Sequence, residues 1–409
     1  MDMWAEFKLH EGEHAVFALD RVGDGVALRS CPIAEAEEEF TATVAFWRRW
    51  LSASRYRGRW RETVHRSALV LKLLTYAPTG GIVAAPTTSL PEEVGGERNW
   101  DYRYVWVRDA AFCVYAPAQA GLHPGAEAFM RFLTANVCTC PPGDSGPLQI
   151  MYGIDGRSDL PERRLDHLEG YQGSWPVRVG NAAVGQLQLD IYGALIDAVY
   201  LYDKWGKPIS SGDWDYVSGL VDWVCDNWDQ PDEGIWETRG GRKDFLYSRL
   251  MCWVAIDAPS AWRPTAACPP TRRGGSARAT RSTGRSCNAA GRAEHQAFVQ
   301  YLGGDVLDAS VLMMPLAKFI SPTDPKWLST LTALGDRLVS DSLVYRYDPA
   351  ASPDGLRGVE GTFSICSFWY VEALARAGRL DEARLALRRR CSPTPTTSAS
   401  SPRRSARPR

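Results

Sequence analysis

One short segment, EGIWETRGG at residues 233–241, places a glutamate directly after a tryptophan in a run bounded by glycines. Ile235 and Trp236 could form an apolar wall beside Glu237. Such a wall raises the pKa of a carboxyl group toward the neutral range that a general acid needs. The simpler interpretation is a solvated glutamate on a turn, so this segment indicates acid–base chemistry only in combination with others.

A second segment, WDYRYVWVRDAAF, combines aromatic rings with an adjacent arginine and aspartate. Tyr102, Tyr104 and Trp106 alternate as in a strand, which points their rings the same way. Arg108 and Asp109 then end the element, so the segment offers a stacking face with a donor and an acceptor for vicinal hydroxyl groups. Asp109 also fits a plain helix N-cap, because a helical pattern begins there.

A third segment, YQGSWPVRVGN, precedes a long helical pattern. Its Gly173 and Pro176 favour a loop, and the loop presents Trp175, Arg178 and Asn181. A packed loop with Asn181 as a helix N-cap is the alternative interpretation.

Composition limits the function classes. The chain has 409 residues, 45% of them hydrophobic, and its sixteen tryptophans fit either a large aromatic core or a carbohydrate site. No apolar run is long enough for a transmembrane helix, and the amino terminus lacks the pattern of a signal peptide. The ten scattered cysteines form no CxxC pair, so we expect free thiols in a reducing cytoplasm. No constellation predicts a metal or a cofactor.

Two stretches differ sharply from the rest of the chain. Residues 258–293 and 388–409 each contain seven arginines and no acid, and the first also lacks Val, Ile, Leu, Met and Phe. We expect both to be disordered, either as a basic arm that binds anions or, as we prefer, as products of a shifted reading frame. Without their charges the chain carries about −15, which argues against a nucleic-acid partner.

Hydrophobic periodicity predicts a mainly α fold. Alternating residues and a VGDG turn predict strands within residues 1–34, and helical spacing follows from about residue 40. The predicted helices cover residues 62–76, 183–205, 213–228, 244–258, 306–320, 324–339, 362–378 and 380–387. Long loops rich in Gly, Pro and Trp join them, which favours an α/α toroid over a four-helix bundle, although an irregular all-α domain would give the same pattern.

The order of the three segments resembles glycoside hydrolase family 15, the family of glucoamylases and a group of bacterial trehalases. WVRDAAF is followed by YQGSW and then by IWE, while GGIVAAPTTSLPE and GLRGVEGTFSICSFWYVEAL are similar to the bacterial branch. The resemblance implies an (α/α)6 barrel preceded by a β-sandwich. It therefore implies a sandwich remnant at residues 1–40, an incomplete catalytic domain at 41–387 and a disordered tail at 388–409.

The resemblance also implies roles for individual residues. Glu237 matches the general acid, and Arg108 with Asp109 matches the pair that grips the terminal glucose. Tyr102 and Trp106 match aromatic walls of the first subsite, with Trp236 beside the acid. Two further substrate contacts lie on the third segment: a loop tryptophan that closes over the bond, Trp175, and, less securely because of its spacing, Arg178.

The second catalytic carboxylate is missing from the matching positions. Family members cleave α-glucosidic bonds with inversion, and the bacterial ones carry their general base in a motif similar to LYSEEI beyond the helix that here reads LDEARLAL. No acid occurs after Glu382. Glu360 in GVEGTF is the best internal substitute, although a surface or helix-terminal acid is the more ordinary interpretation.

We therefore expect a cytoplasmic glycosidase for trehalose or a small α-glucan, truncated at both ends and weakly active. The alternative is a catalytically dead, sugar-binding fragment. The sequence separates neither trehalase from glucoamylase nor one oligomeric state from another.

The frame-shift interpretation predicts that the DNA downstream of the Arg409 codon, read in all three frames, encodes an LYSEE-like run. Resequencing the locus is the measurement. A single clean reading frame through codons 258–293, with no such run downstream, would contradict it.

Overall fold

The computed structural model of the protein describes residues 6–19, 31–122, 124–137, 148–205, 208–261, 291–292, 297–356 and 361–391. Within these ranges no helix is both long and apolar enough to span a membrane. The described residues are mainly helical, with a few very short strands. The predicted mainly α class is confirmed.

The α-helices of the described residues follow one another along most of the chain. They are α1 (Ile33–Ser52), α2 (Arg61–Leu73), α3 (Val107–Gln119), α4 (Pro124–Phe132), α5 (Asp190–Trp205), α6 (Ser211–Asn227), α7 (Leu246–Ala261), α8 (Pro325–Leu338), α9 (Ser364–Arg376) and α10 (Leu380–Cys391). Polar residues mark several beginnings. Ser210 and Asp213 form a capping box before α6, and Asp324 caps α8 with a proline at the first turn.

Two predicted helices differ from the observed ones. The pattern at 183–205 gives a short 3-10 segment, Ala182–Gly185, and α5 begins only at Asp190. The apolar run at 306–320 gives a 3-10 segment, Ala309–Met313, whose residues are all buried. Pro315 explains the second difference, because its ring blocks an α-helix through the residues before it. A mostly apolar segment does not reveal its backbone conformation by periodicity alone.

Each described strand forms an antiparallel pair with one other strand. These two-stranded pairs lie in the loop regions and form no larger sheet. The pairs are β1 (Thr88–Pro91) with β2 (Asn99–Asp101), β3 (Val105–Trp106) with β4 (Met151–Tyr152), β5 (Arg163–Arg164) with β6 (Arg178–Val179), β7 (Gly291–Arg292) with β8 (Ala297–Phe298), and β9 (Val339–Ser340) with β10 (Leu343–Val344). Residues 6–19 contain no strand, so the strand prediction is wrong there. Their alternation extends over few residues, and their apolar side chains Phe17 and Leu19 remain exposed.

The two arginine-rich stretches are only partly described. Residues 258–261 complete α7, and residues 388–391 complete α10, so the helices extend further than the composition predicted. Gly291 and Arg292 form a strand pair with Ala297 and Phe298. The remaining residues of both stretches lie outside the described ranges, and the expectation of disorder stays a prediction.

Helix α5 lies at the centre of the fold, packed against both α3 and α7. Its residues enter two hydrophobic clusters: Ile191 and Ile196 belong to the first, and Ala194 and Ala198 belong to the second. Gly193 permits this contact, because a Cβ there would lie 2.2 Å from the backbone oxygen of Met251 in α7. The close approach of α5 and α7 therefore joins two cores that meet beneath one pocket.

The buried carboxyl group of Asp232 makes stability depend on pH. Burial raises the pKa of Asp232 to about 7, although Ser248 Oγ and Leu189 N donate hydrogen bonds to it. A raised folded-state pKa gives stability that is complete below the unfolded value of about 3.8 and is lost as the pH rises toward 7. Asp232→Asn should abolish up to about 4 kcal/mol of this pH dependence. Denaturant unfolding from pH about 4 to about 7 measures it.

The control is Asp166→Asn, which removes a carboxylate whose side chain is 73% exposed. We expect that variant to follow the pH profile of the unchanged protein. Parallel profiles for the protein and Asp232→Asn would contradict the prediction.

Candidate active site

A single pocket collects most of the chemistry-bearing segments. It holds about 1020 Å³ of empty space, part of it open to solvent, and its lining comes from within residues 84–112, 181–183, 235–239 and 346–369. The first hydrophobic cluster supports one side through Trp106, and the second supports the other through Ile235 and Trp369.

Glu237 reaches into this pocket from a strained turn. Its backbone adopts a positive φ of 56°, a conformation that residues other than glycine rarely take. Its Oε1 accepts hydrogen bonds from Trp106 Nε1 at 2.7 Å and from Arg108 Nη2 at 3.1 Å. Two donors from the start of α3 thus fix the carboxyl group of a residue about 130 positions later.

Burial raises the pKa of Glu237 above its ordinary value. The positive charge of Arg108 and the two hydrogen bonds lower it, whereas the nearby Asp109 raises it further. The net direction is upward, because removing a carboxylate from water disfavours its charge. A carboxyl group that holds its proton toward neutral pH can serve as a general acid.

Arg108 connects Glu237 to the interior through its own contacts. Its Nη1 donates to Gln188 Oε1 at 2.8 Å and lies 3.4 Å from Asp190 Oδ2, the first residue of α5. Its Nη2 lies 3.5 Å from Asp109 Oδ2. Burial opposes the charge of this guanidinium, but Asp109, Asp190 and Glu237 together raise the pKa of Arg108. It stays a cation inside the protein.

An aromatic wall faces this cluster. Trp236 packs edge-on against Phe363, with ring centroids 5.9 Å apart, and the guanidinium of Arg346 lies 5.4 Å from the Trp236 ring. Trp369 in α9 lies behind them, 6.3 Å from Trp236. Indole and phenyl faces of this kind can cover the apolar face of a sugar ring.

Trp100 forms a further part of the lining, and cations surround it. The guanidinium carbons of Arg178 and Arg239 each lie 4.7 Å from its ring centroid, and its Nε1 donates to Glu92 at 3.1 Å. Glu162 pairs with both arginines, at 3.3 Å and 2.9 Å. These contacts hold the indole in one orientation.

The glycosyl hydrolases family 15 model matches residues 58–406 of the chain, most of its length. The chain belongs to glycosyl hydrolase family 15. It is 40% identical to a trehalase of Mycolicibacterium smegmatis, over 86% of this chain and 52% of that protein. It is 39% identical to a trehalase of Thermoplasma acidophilum, over 84% of this chain and 58% of that protein. The chain thus spans little more than half the length of these relatives.

Solved structures of glycosidases share the fold. A glycosidase variant in complex with glucose has a TM-score of 0.59 and 19% identity, over 81% of this chain and 83% of that chain. A bacterial glucoamylase complexed with acarbose has a TM-score of 0.57 and 14% identity, over 83% and 53%. At these low sequence identities, the likeness shows only that the chain shares its fold with these glycosidases.

Most of the sequence-predicted site residues of the family 15 chain meet in the pocket. The residues that line it together are Tyr102, Trp106, Arg108, Asp109, Trp236 and Glu237. The N-cap interpretation of Asp109 is wrong, because α3 begins at Val107 and Asp109 lies within its first turn. A carboxylate in the first turn also interacts favourably with the helix dipole.

Three other predicted residues are placed differently. Trp175 does not line the pocket; its side chain is 44% exposed, and the guanidinium of Arg164 covers its ring at 4.0 Å. Arg178 lies behind the lining, where its Nη1 donates to the backbone oxygens of Glu97 and Asn99. Glu360 lies outside the described residues, so its role stays a prediction.

The buried ion pair between Arg98 and Asp354 was not predicted from the sequence. Arg98 Nη1 lies 2.9 Å from Asp354 Oδ2, both side chains are almost fully buried, and both residues line the pocket. Tyr347 Oη donates to the same carboxylate at 3.0 Å. Residues 256 positions apart share no local pattern, and only the folded chain brings them together.

The side chains of the described ranges contain no cluster of His, Cys, Asp and Glu that could hold a metal ion. The carboxylates around the pocket pair instead with arginines, as Asp354 does with Arg98. Hydrogen bonds and ion pairs are therefore the chemistry that these residues offer a ligand.

The Arg98–Asp354 pair predicts a large stability effect. Arg98→Met should destabilise the protein by about 3–5 kcal/mol, because it leaves the buried carboxylate of Asp354 without its cation. Denaturant unfolding measures the change. Arg389→Met is the matched control: Arg389 pairs with Asp341 at 2.7 Å, but both side chains are more than half exposed. That variant should lose less than about 1 kcal/mol, and equal losses would contradict the prediction.

Proposed function

We propose that the chain is a glycosidase that binds a terminal α-glucosyl unit and donates a proton to its glycosidic oxygen through Glu237. The observation that carries the proposal is the position of Glu237. Its carboxyl group lies in the pocket between Trp106 and Arg108, and burial raises its pKa. A carboxyl group with a raised pKa beside a cavity is one of the two groups that glycosidic bond cleavage needs.

Trehalose is the substrate that we favour. The relatives of Mycolicibacterium smegmatis and Thermoplasma acidophilum are trehalases, whereas the glucoamylase with acarbose resembles the chain in fold alone. The pocket's lining combines aromatic faces with guanidinium and carboxylate groups. A maltooligosaccharide or another small α-glucan is the second candidate.

The neighbouring side chains have complementary roles in this proposal. Arg108 and Asp109 bind the outer hydroxyl groups of the terminal glucose, since they offer adjacent donors and an acceptor. Tyr102 and Trp106 form the wall of the first subsite. Tyr102 also stays a neutral phenol, because burial, followed by the carboxylates of Glu92 and Glu237, raises the pKa of its hydroxyl group.

Turnover should be slow, because an inverting mechanism needs a second carboxylate roughly 6.5–9.5 Å from the acid, with a water between them. The other acids that line the pocket are already engaged. Asp354 pairs with Arg98, Asp109 with Arg108, and Glu92 accepts from Trp100 and lies 4.0 Å from Arg346. Glu360 is the substitute that we retain from the sequence. Missing general-base catalysis costs about 10²–10⁴ in rate.

The same pocket supports a second candidate function, a sugar-binding protein without turnover. The other carboxylates that line the pocket are already paired, which favours this second candidate. Binding requires the Arg108 cluster and the aromatic wall but no activated water. The two candidates share the ligand and differ in whether glucose is released.

We further propose that the helices belong to an (α/α)6 toroid, with the catalytic domain at residues 41–387. The family match and the fold-level likeness to glycosidases support this layout. Location in the cytoplasm is likewise a proposal. It rests on the scattered cysteines, of which Cys252 and Cys366 are buried free thiols.

Glu237→Gln should abolish glucose release from trehalose or maltose while sugar binding persists, because the amide keeps the shape but cannot donate the proton. The rate of the unchanged protein should also fall as the pH rises through the raised pKa of Glu237. Coupled glucose assays give the rates, and quenching of tryptophan fluorescence gives the affinity. The matched control is Glu233→Gln, a nearby carboxylate that instead pairs with Arg242.

Release by the parent that is lost only in Glu237→Gln supports the enzyme. Saturable quenching without release supports the binder. Sugar that neither binds nor reacts contradicts both functions.

A further inference from the structure

Asp308 lies behind the pocket and contacts one of its walls. Its side chain is buried, and it is not among the residues that line the pocket. Trp236 Nε1 donates to both of its carboxylate oxygens, at 3.0 Å to Oδ1 and 2.9 Å to Oδ2. The edge of the indole is thus bound from behind, while the ring faces the pocket.

The carboxylate that binds Trp236 is itself held by other donors. Ser310 N donates to its Oδ1 at 2.7 Å, and the buried Gln300 donates through Nε2 to its Oδ2 at 2.9 Å. All of these groups donate an N–H in this arrangement, and a carboxylate accepts from all of them at once. Asparagine at this position keeps one accepting oxygen and has an NH2 group in place of the other.

Asp308 also connects the two sides of the aromatic wall through the backbone. It forms an isolated antiparallel bridge with Tyr347, and Ala309 N donates to the backbone oxygen of Arg346 at 2.8 Å. The guanidinium of Arg346 covers Trp236, as described above. The carboxylate of Asp308 therefore holds the indole, and the backbone at residues 308 and 309 holds the chain segment whose side chain packs on that indole.

The hydrogen bonds between Trp236 and Asp308 also concern Glu237, the next residue in the chain. Glu237 keeps a left-handed backbone that only surrounding contacts can maintain in a residue with a Cβ. Trp236 precedes it directly, so the orientation of the indole limits the turn that aims Glu237.

We propose that Asp308 is a positioning residue of the active site: it holds the indole of Trp236 as a fixed wall for the sugar and thereby supports the turn that presents Glu237. The part of this inference that concerns the sugar rests on the proposed function. The anchoring of Trp236 by Asp308 does not depend on it. The role thus belongs to a side chain that never touches the ligand.

The first test needs no ligand. Trp236→Phe is made in the full chain, in Asp308→Asn and in Asp324→Asn, and the difference in tryptophan emission within each pair isolates Trp236. Asp324 is the matched control, because it also caps a helix by accepting an N–H two residues later, at 2.8 Å from Lys326. Acrylamide should quench the Trp236 signal several-fold more strongly in Asp308→Asn and equally in the parent and Asp324→Asn. Equal quenching in all three backgrounds overturns the proposal.

The second test is a double-mutant cycle on trehalose and maltose affinity. Asp308→Asn should weaken binding about tenfold, consistent with losing hydrogen bonds to a charged group. The double variant with Trp236→Phe should bind sugar no more weakly than whichever single variant has the lower affinity, because both changes remove the same interaction. Losses that multiply in the double variant would show a merely structural role and overturn the proposal. Thermal unfolding of both aspartate variants checks that each is folded.

The two proposals fail in different ways. A parent that binds neither sugar contradicts the proposed function, and the quenching comparison still decides the role of Asp308. A parent that binds sugar, with Asp308→Asn unchanged in affinity, contradicts the positioning role alone.

Discussion

The buried guanidinium of Arg108 is the group around which the pocket is organised. It lies among Asp109, Asp190 and Glu237, and the largely buried carboxyl groups of Asp190 and Glu237 would be costly to bury without it. Burial by itself opposes the charge of the guanidinium, and the three acids offset this effect. Removing Arg108 would therefore leave the carboxyl groups of Asp190 and Glu237 without their cation in a poorly hydrated place.

The same cluster explains how Glu237 can remain an acid beside an arginine. A cation 3.1 Å away lowers the pKa of a carboxyl group, and two hydrogen bonds lower it further. Asp109 and Asp190 share the positive charge of Arg108, which weakens its effect on Glu237. Burial then determines the net direction, upward. The acid's behaviour therefore depends on residues of α3 and α5 as much as on its own turn.

The local parts of this site could be predicted from the sequence, and the long-range parts could not. WDYRYVWVRD and IWE each carry their residues close together, and the order of the segments, through the family resemblance, allowed Trp106, Arg108 and Glu237 to be nominated. Trp100 begins the first of these segments and Arg178 lies in YQGSWPVRVGN, yet which of the two lines the pocket depends on packing. The contacts of Arg98 with Asp354 and of Trp236 with Asp308 join residues far apart in the chain, and no periodicity encodes them. The helix prediction at 306–320 is wrong for a different reason: the mostly apolar pattern indicated burial, but Pro315 does not allow a continuous α-helix there.

The pocket's two walls belong to two different hydrophobic clusters, and this division constrains the chemistry. Trp106 is anchored in the first cluster, while Trp236 packs on the second. Glu237 follows Trp236 in the chain but accepts hydrogen bonds from Trp106 and Arg108 across the pocket. Its position therefore depends on how the two hydrophobic clusters are aligned. That alignment depends on the contact of α5 with α7, which Gly193 makes possible. A side chain at Gly193 would separate the helices and move the acid relative to its donors, although it lies outside the pocket lining. The geometry of the acid is in this sense a property of the interface between the two cores.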